Sequence, residues 1–257
     1  MNYLHINKKA WDKRTKVHVG SKFYDIEAFK AGKSSLNEIE LEQVGCVEGK
    51  KLLHLQCHFG QDTLSWARLG AVVTGVDLST EAIEQADTLK STLELNATFV
   101  ADDIYEFGRK STEKFDVVFT SYGVLCWLPD LNSWAKTIFN SLTTGGEFHL
   151  VEFHTFHDLL AGESYFPRSE PDVEDEGTYT ENCDGTKSTM VTWSHSLSEV
   201  INALISAGFS LEFFKEYAYS PYNCFEGLEY TSGLGYQMLH KGQQVPLLYS
   251  IKARKNV

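Results

Sequence analysis

The sequence has few positive charges, no paired cysteine motif and no long apolar run. Its 23 Lys and Arg stand against 35 Asp and Glu, a formal net charge of −12, which disfavours binding to nucleic acid or to an anionic membrane. None of its five cysteines forms a C-x-x-C pair, so a zinc site or a disulfide framework is not expected. No apolar run could span a bilayer, and the first residues lack a signal-peptide core. We expect a cytoplasmic protein without a metal, nucleic-acid or membrane partner.

Short apolar runs alternate with helical stretches from about residue 50 onward. This alternation predicts an α/β fold whose mostly parallel sheet is covered by helices on both faces. The clearest helix is "HSLSEVINALISAGF", where Ser196 and Glu199 have capping-box spacing and Gly208 supplies the stop. An aromatic-rich connection between the last two strands, "LEFFKEYAY" and "PLLYSIKAR", has room for a short extra helix.

Two segments lie outside the alternating pattern. Residues 1–45 precede the first strand, and residues 154–195 separate the fifth strand from its helix, which is long for such a connection. We expect a domain over residues 46–257, with residues 1–45 as an N-terminal lid and residues 154–195 as an inserted cap. The alternative is that the long connection is a floppy insertion.

The turn after the first strand reads "QCHFG", residues 56–60, and contains a single glycine. A dinucleotide places its pyrophosphate on this turn and requires several glycines for close backbone approach. The side chains of Gln56 and His58 obstruct that approach. A nucleoside without phosphates needs only one close contact, which Gly60 can supply.

Two carboxylates support a nucleoside ligand. Asp77 ends the second predicted strand, where an acidic side chain can accept hydrogen bonds from both ribose hydroxyls. Asp103 ends the third, where it can accept from the exocyclic amine of adenine while the N–H of Ile104 meets a ring nitrogen. The alternative for each Asp is a turn former or a helix cap.

Five segments in this order resemble the class I S-adenosylmethionine (SAM)-dependent methyltransferases: "LLHLQCHFG", "VTGVDLS", "FVADDI", "FDVVFTSYGVLCWLPD" and "LTTGGEFHLVE". The resemblance covers about residues 50–155. It implies a doubly wound, Rossmann-like, seven-stranded sheet with an antiparallel last strand, SAM as cofactor and S-adenosylhomocysteine (SAH) as product. Cys57 and Gly60 keep the family's first motif, whereas His54 replaces its acid and Gln56 and His58 replace two glycines.

The resemblance also implies a set of cofactor contacts. Asp62 meets the ammonium group of the methionine tail or only stabilises a helix N-terminus, and the backbone carbonyls of Ser121 and Tyr122 face the same ammonium. If the stretch around Trp11, Arg14 and Tyr24 folds over SAM, Arg14 is expected on the methionine carboxylate; the alternative is an amphipathic surface helix. The full expected set is Trp11, Arg14, Tyr24, His54, Gln56, Cys57, Gly60, Gln61, Asp62, Asp77, Leu78, Asp103, Ile104, Ser121 and Tyr122.

Methyl transfer from SAM is an in-line displacement in which positioning dominates, and a base is needed only when the acceptor must lose a proton. His154 and His157 follow the fifth strand and are the candidate catalytic residues. Trp127, His195 and Tyr222 are the candidate acceptor contacts. The acid-rich stretch 163–184 either faces a cationic acceptor or is a solvated loop.

The expected function is methyl transfer to a small-molecule acceptor. Two alternatives stay open, a non-catalytic SAM-binding protein and an NAD-dependent oxidoreductase on the same architecture. A nucleic-acid methyltransferase is disfavoured by the acidic charge, and "SYGVLCW" lacks the N/D-P-P-Y/F sequence of many DNA enzymes.

Overall fold

The computed structural model describes residues 2–256. The α-helices are α1 Tyr3–His18, α2 Ile26–Lys30, α3 Glu38–Val44, α4 Gln61–Arg68, α5 Thr80–Thr92, α6 Ile104–Lys110, α7 Leu131–Ser141, α8 Phe156–Ala161 and α9 Leu197–Ala207, with a 3₁₀ turn at Leu125–Trp127. The strands are β1 Lys51–Leu55, β2 Val72–Asp77, β3 Ala97–Ala101, β4 Phe115–Ser121, β5 Leu142–Phe153, β6 Asp172–Glu176, β7 Ser188–Thr192, β8 Phe209–Tyr217, β9 Glu229–Thr231, β10 Gly235–Gln237, β11 Leu239–His240, β12 Gln243–Gln244 and β13 Leu248–Lys255.

Seven strands form the central sheet in the order β3-β2-β1-β4-β5-β13-β8. Strands β1 to β5 pair in parallel, and β13 lies antiparallel between β5 and β8. The predicted doubly wound sheet with an antiparallel last strand is therefore confirmed. Strand order reverses between β1 and β4, and open α/β sheets bind ligands beyond the carboxyl ends of the strands at such a point.

The centre of the sheet is buried on both faces. Leu53 and Leu55 of β1 pack into one cluster with Trp134 of α7, while Leu52 packs into a second cluster with Trp66 of α4. Leucines of β1 are buried on both faces of the strand because helices cover both, as expected for a parallel strand. This rigid centre fixes the positions of the carboxyl ends of the strands and of the side chains that follow them.

Helix termini were only partly predictable. Ser196 caps α9 by accepting from the N–H of Glu199 (3.3 Å), and Gly208 ends the helix in a left-handed conformation. The predicted capping box is incomplete, because the Glu199 carboxylate contacts His195 Nδ1 (3.0 Å) instead of reaching back to the cap. The sequence pattern did not predict helix α6, although Asp103 is its N-cap.

The connection after β8 contains two small hairpins, β9–β10 and β11–β12, and the short extra helix expected there is absent from the described residues. Gly235 (φ 84°) and Gly242 (φ 77°) adopt the left-handed conformation in this stretch. Glycine is costly inside a helix and favourable at such turns. This preference explains why the segment forms hairpins and not a helix. Among residues 2–256, no helix is both long and apolar enough to cross a membrane.

The two segments outside the alternating core contact each other. The side chain of Asn7 donates to the carbonyl of Val191 (2.7 Å) and accepts from its N–H (2.9 Å). Asn182 Nδ2 donates to the carbonyl of Val17 (2.8 Å). We call α1 together with residues 176–192 the cover. Helices α2 and α3 instead pack on the core, where Phe29 contacts Leu64 and Leu89.

Candidate cofactor and acceptor cleft

A cleft of about 850 Å³ lies at the carboxyl ends of the central strands, beneath the cover. Its size is in the range of sites for small organic ligands. Asp62, Asp77 and Asp103 all line it, so the structure brings together the three carboxylates that the sequence assigned to one ligand. No cluster of three or more His, Cys, Asp or Glu suited to a metal ion occurs within residues 2–256.

The turn after β1 has left-handed backbone conformations that usually require glycine, although only one of its residues is a glycine. Gln56 (φ 57°), His58 (φ 50°) and Gly60 (φ 81°) all have left-handed conformations, which are uncommon for residues with a side chain. Two contacts offset this strain. Gln56 Nε2 donates to the carbonyl of Val124 (2.8 Å), and His58 Nε2 lies 2.9 Å from Nδ1 of His18 in α1. The backbone path typical of a nucleoside-binding turn is thus maintained by side-chain contacts.

Gly60 has a packing role in addition to its expected place beside the ligand. A Cβ atom at this position would lie 2.7 Å from the Phe99 ring of β3 and 3.0 Å from Cβ of Ala86 in α5. The missing side chain therefore allows α4 to start close against the sheet, besides lining the cleft. Cys57, also in the turn, is buried, and burial raises the pKa of its thiol.

Asp77 is fixed at the end of β2. Its Oδ2 accepts from the N–H of His58 (2.8 Å) and its Oδ1 from the N–H of Ser79 (2.8 Å). Burial raises the pKa of this carboxyl to about 6. A carboxylate has about four acceptor positions, so two remain beside the cleft, the number needed for two ribose hydroxyls. Leu78, the next residue, also lines the cleft.

Asp103 combines a structural and a ligand-facing position. Its Oδ1 accepts from the N–H groups of Tyr105 and Glu106, both at 3.0 Å, which makes it the N-cap of α6. Oδ2 takes neither bond, and Ile104 is the first helical residue, so its N–H has no partner within the helix. The helix-cap interpretation is therefore correct, and Asp103 and Ile104 both also line the cleft.

Asp62 lies in the first turn of α4 and faces into the protein. Ser35 Oγ donates to its Oδ1 (2.6 Å) and Ser121 Oγ to its Oδ2 (3.4 Å), and burial raises its pKa to about 7. Ser35, which also lines the cleft, was missed because the serines of the "GKSSLN" loop belong to no recognisable motif. The neighbouring Gln61 donates through Nε2 to the carbonyl of Tyr24 (2.9 Å), which ties α4 to the N-terminal segment.

His54 occupies the position where the resemblance leads one to expect an acid. Its Nδ1 lies 2.8 Å from Thr63 Oγ1, and its Nε2 is buried without a partner. Burial lowers its pKa to about 3, so the ring is neutral. His54 therefore supplies no negative charge. The carboxylate nearest to it in sequence that lines the cleft is Asp62, which is half-buried.

Side chains of the N-terminal segment form the roof of the cleft. Trp11, Arg14 and Tyr24 line it as predicted from the sequence. His18, which was not predicted, is buried outside the lining and connects α1 to His58 of the turn and, through Nε2, to Thr178 of the insertion. Its place one helical turn after Arg14, on the same face of α1, is the pattern that could have revealed it.

The three histidines proposed as catalytic or acceptor-binding residues do not line the cleft. His154 Nε2 bonds to Glu216 (2.9 Å), and its Nδ1 accepts from the N–H of Phe156 (3.0 Å). His157 stacks on Phe225 at 3.9 Å between ring centroids. His195 bonds to Glu199 and to the carbonyl of Leu128 (2.8 Å). These hydrogen bonds and the stacking contact hold the three rings outside the cleft lining.

The aromatic candidates do line the cleft. Trp127 donates through Nε1 to the carbonyl of Gly123 (2.8 Å), and Tyr222 accepts from Asn37 Nδ2 (2.9 Å) and lies edge-on to Tyr122. Buried Glu152 at the end of β5 accepts from the N–H groups of Val124 (2.9 Å) and Leu125 (3.1 Å). It thereby fixes the loop that carries Trp127.

The comparisons with known proteins agree with this geometry. Residues 52–146 match the family model described as a methyltransferase domain. Over 201 residues the chain is 26% identical to the ubiquinone biosynthesis O-methyltransferase of Proteus mirabilis (strain HI4320), covering 74% of this chain and 79% of that one. The enzyme of the same description from Escherichia fergusonii is 30% identical over 135 residues, 50% of this chain and 55% of the other.

A SAM-dependent methyltransferase from Methanosarcina mazei has the same fold, with a TM-score of 0.60, 19% sequence identity and coverage of 86% of this chain and 99% of that one. The sheet order is that of a Rossmann-like fold, and acidic residues end β2 and follow β3 at the edge that forms the cleft. The methyltransferase-domain match and these neighbours support a class I SAM-dependent methyltransferase with SAM as cofactor.

Proposed function

We propose that this methyltransferase acts on a small-molecule acceptor, and that the cleft described above holds both reactants. The ribose hydroxyls bind Asp77, the adenine binds Asp103 and the N–H of Ile104, and the methionine ammonium binds Asp62 with the carbonyls of Ser121 and Tyr122. The main observation behind this proposal is Asp77, whose two backbone bonds fix its carboxylate and leave acceptor positions beside the cleft.

SAM supplies an electrophilic methyl group and a neutral thioether leaving group. The contribution of the chain is to hold the acceptor atom in line with that methyl and to exclude water, since positioning provides most of the rate. The cover closes the cleft over the cofactor, and the aromatic faces of Trp11, Trp127 and Tyr24 favour a sulfonium through cation–π attraction. No base is required for acceptors that are already nucleophilic at neutral pH.

The two alternatives are less well supported. An NAD-dependent enzyme needs a turn onto which a pyrophosphate can settle, and Gln56 and His58 carry side chains there. A SAM-binding protein without activity would not need the wall of aromatic residues that extends the cleft beyond the cofactor contacts. A reducing, cytoplasmic location is also part of the proposal, since all five cysteines are free thiols.

Calorimetric titration with SAM, SAH and NAD tests the proposal. We expect SAM and SAH to bind and NAD not to bind. Asp77→Ala should weaken SAM by about 1.5–3 kcal/mol, the scale of a charge-assisted hydrogen bond, while Asp87→Asn on α5 should change nothing. Unchanged SAM affinity in folded Asp77→Ala would remove the ribose assignment. A product assay across amines, phenols and carboxylates then separates an enzyme from a SAM-binding protein.

A further inference from the structure

Arg14 is a buried cation with little compensation from the protein. Only 8% of the surface of Arg14 is exposed, and its Nε is buried without a hydrogen-bond partner among residues 2–256. Nη2 donates to the carbonyl of Gly177 (2.7 Å), and Glu176, whose side chain is half-exposed, lies 3.7 Å away. The guanidinium lies 5.4 Å from the ring of Trp11 and 5.8 Å from that of Trp127.

A buried charge is costly unless it is paired and hydrogen-bonded. Arginine cannot relieve that cost by losing its proton at neutral pH. One carbonyl bond and one long contact to a half-exposed carboxylate leave N–H donors of this group unused, in a side chain that lines the cleft. The arrangement is that of a site prepared for an anionic group of a ligand.

The position of Arg14 indicates which ligand carries that anion. The polar groups around the expected methionine tail are Asp62, Ser35 and Ser121, which bond to one another and not to Arg14. The contacts of Arg14 come instead from the 3₁₀ turn after β4 and from the insertion, through Trp127 and Gly177. These elements form the wall on which an acceptor would lie.

We propose that Arg14 forms an anion subsite for the methyl acceptor, and that the acceptor is a carboxylate on an apolar or aromatic body. This inference rests on the proposed function. A single guanidinium with free N–H groups pairs well with one carboxylate, and Trp127, Tyr179 and Phe225 line the same cleft. Strand β6 of the acid-rich insertion is largely exposed, so salt screens most of its charge.

The first experiment measures binding of benzoate and phenylacetate, and of their neutral amides, to the SAH complex. In the wild type, at least one acid should bind at least tenfold more tightly than its amide. Arg14→Met should abolish that preference, and Arg14→Lys should retain part of it. Glu176→Gln removes the competing carboxylate and should strengthen acid binding several-fold. Equal binding of acids and amides to the wild-type complex would overturn the subsite.

The second experiment compares SAH with 5′-methylthioadenosine, which lacks the amino-acid tail. If Arg14 serves the acceptor, Arg14→Met changes both affinities by less than about threefold. A loss of tenfold or more for SAH alone would place Arg14 on the methionine carboxylate and overturn the inference. Failure of SAH to bind the wild type would instead contradict the proposed function. Should Arg14→Met not fold, Arg14→Lys and Glu176→Gln still decide the question.

Discussion

Two half-buried carboxylates of the cleft, Asp62 and Asp77, have raised pKa values. Burial raises the pKa of Asp62 to about 7 and that of Asp77 to about 6. Each group binds its proton more tightly in the folded protein than in the unfolded chain, whose carboxyls titrate near pH 4. Their contribution to stability is therefore complete below about pH 4 and is lost as the pH rises to about 7.

Binding of SAH should release a proton from Asp62, because the ammonium of its tail favours the ionised carboxylate. Calorimetry in buffers of different ionisation enthalpy should detect release of about one proton below pH 6 and almost none above pH 8. 5′-Methylthioadenosine has no ammonium, so the difference between the two ligands isolates Asp62. The same difference in Asp62→Asn would show that another group is responsible.

The turn between β1 and α4 shows how one element can keep its backbone while its sequence changes. Gly60 is required by packing, since a Cβ there would overlap Phe99. Gly145, in the turn before the parallel part of β5, has a similar φ (79°) with nothing within 4 Å of a Cβ. A comparison of substitutions at Gly60 and Gly145 therefore distinguishes the cost of backbone strain, which both share, from the cost of steric overlap, which only Gly60 has.

Gly60→Ala should destabilise the protein more than Gly145→Ala. Both changes place a side chain in a left-handed conformation, at a cost of about 1–2 kcal/mol. Only Gly60→Ala adds overpacking, which costs about 1–3 kcal/mol more. Urea unfolding monitored by tryptophan fluorescence would give both free energies. Equal losses would mean that Phe99 moves aside and that packing does not explain Gly60.

Elements with strong patterns were predictable, and side-chain directions were not. The strands of the core and helix α9 follow from apolar runs and end signals, and Asp77 and Asp103 follow from their place at strand ends. Helix α6 has only seven residues, too few for a periodic pattern. His154 was assigned correctly to the end of β5, but its bonds to Glu216 and Phe156 depend on tertiary contacts that no local pattern encodes.

At the scale of the whole molecule, the cover joins segments more than 160 residues apart in sequence. Arg14 bonds to Gly177, and Asn182 bonds to Val17. Asp12 on the other side of α1 accepts from Ser79 Oγ (2.7 Å) at the start of α5. The sequence predicted two separate outlying segments, and their association could not be read from either one alone. We propose that they act as one lid over SAM.

Deletion of residues 1–20 should leave a folded core, weaken SAH binding sharply and accelerate hydrogen exchange in residues 176–192. Those residues lose their α1 partners, while Phe29 keeps its contacts with Leu64 and Leu89. Deletion of residues 1–30 also removes Phe29, and loss of a buried Phe side chain costs about 3–5 kcal/mol. Unchanged exchange in residues 176–192 after the shorter deletion would contradict a composite lid.

A crystal structure of the SAH complex tests the central claim most directly, namely that Asp77 and Asp103 hold the adenosine beneath the cover. The predicted result has both ribose hydroxyl oxygens about 2.5–3.0 Å from the Asp77 carboxylate. The adenine amine should lie at hydrogen-bond distance from Asp103, with α1 ordered above. SAH bound elsewhere, or ribose hydroxyls that turn away from Asp77, would contradict the account.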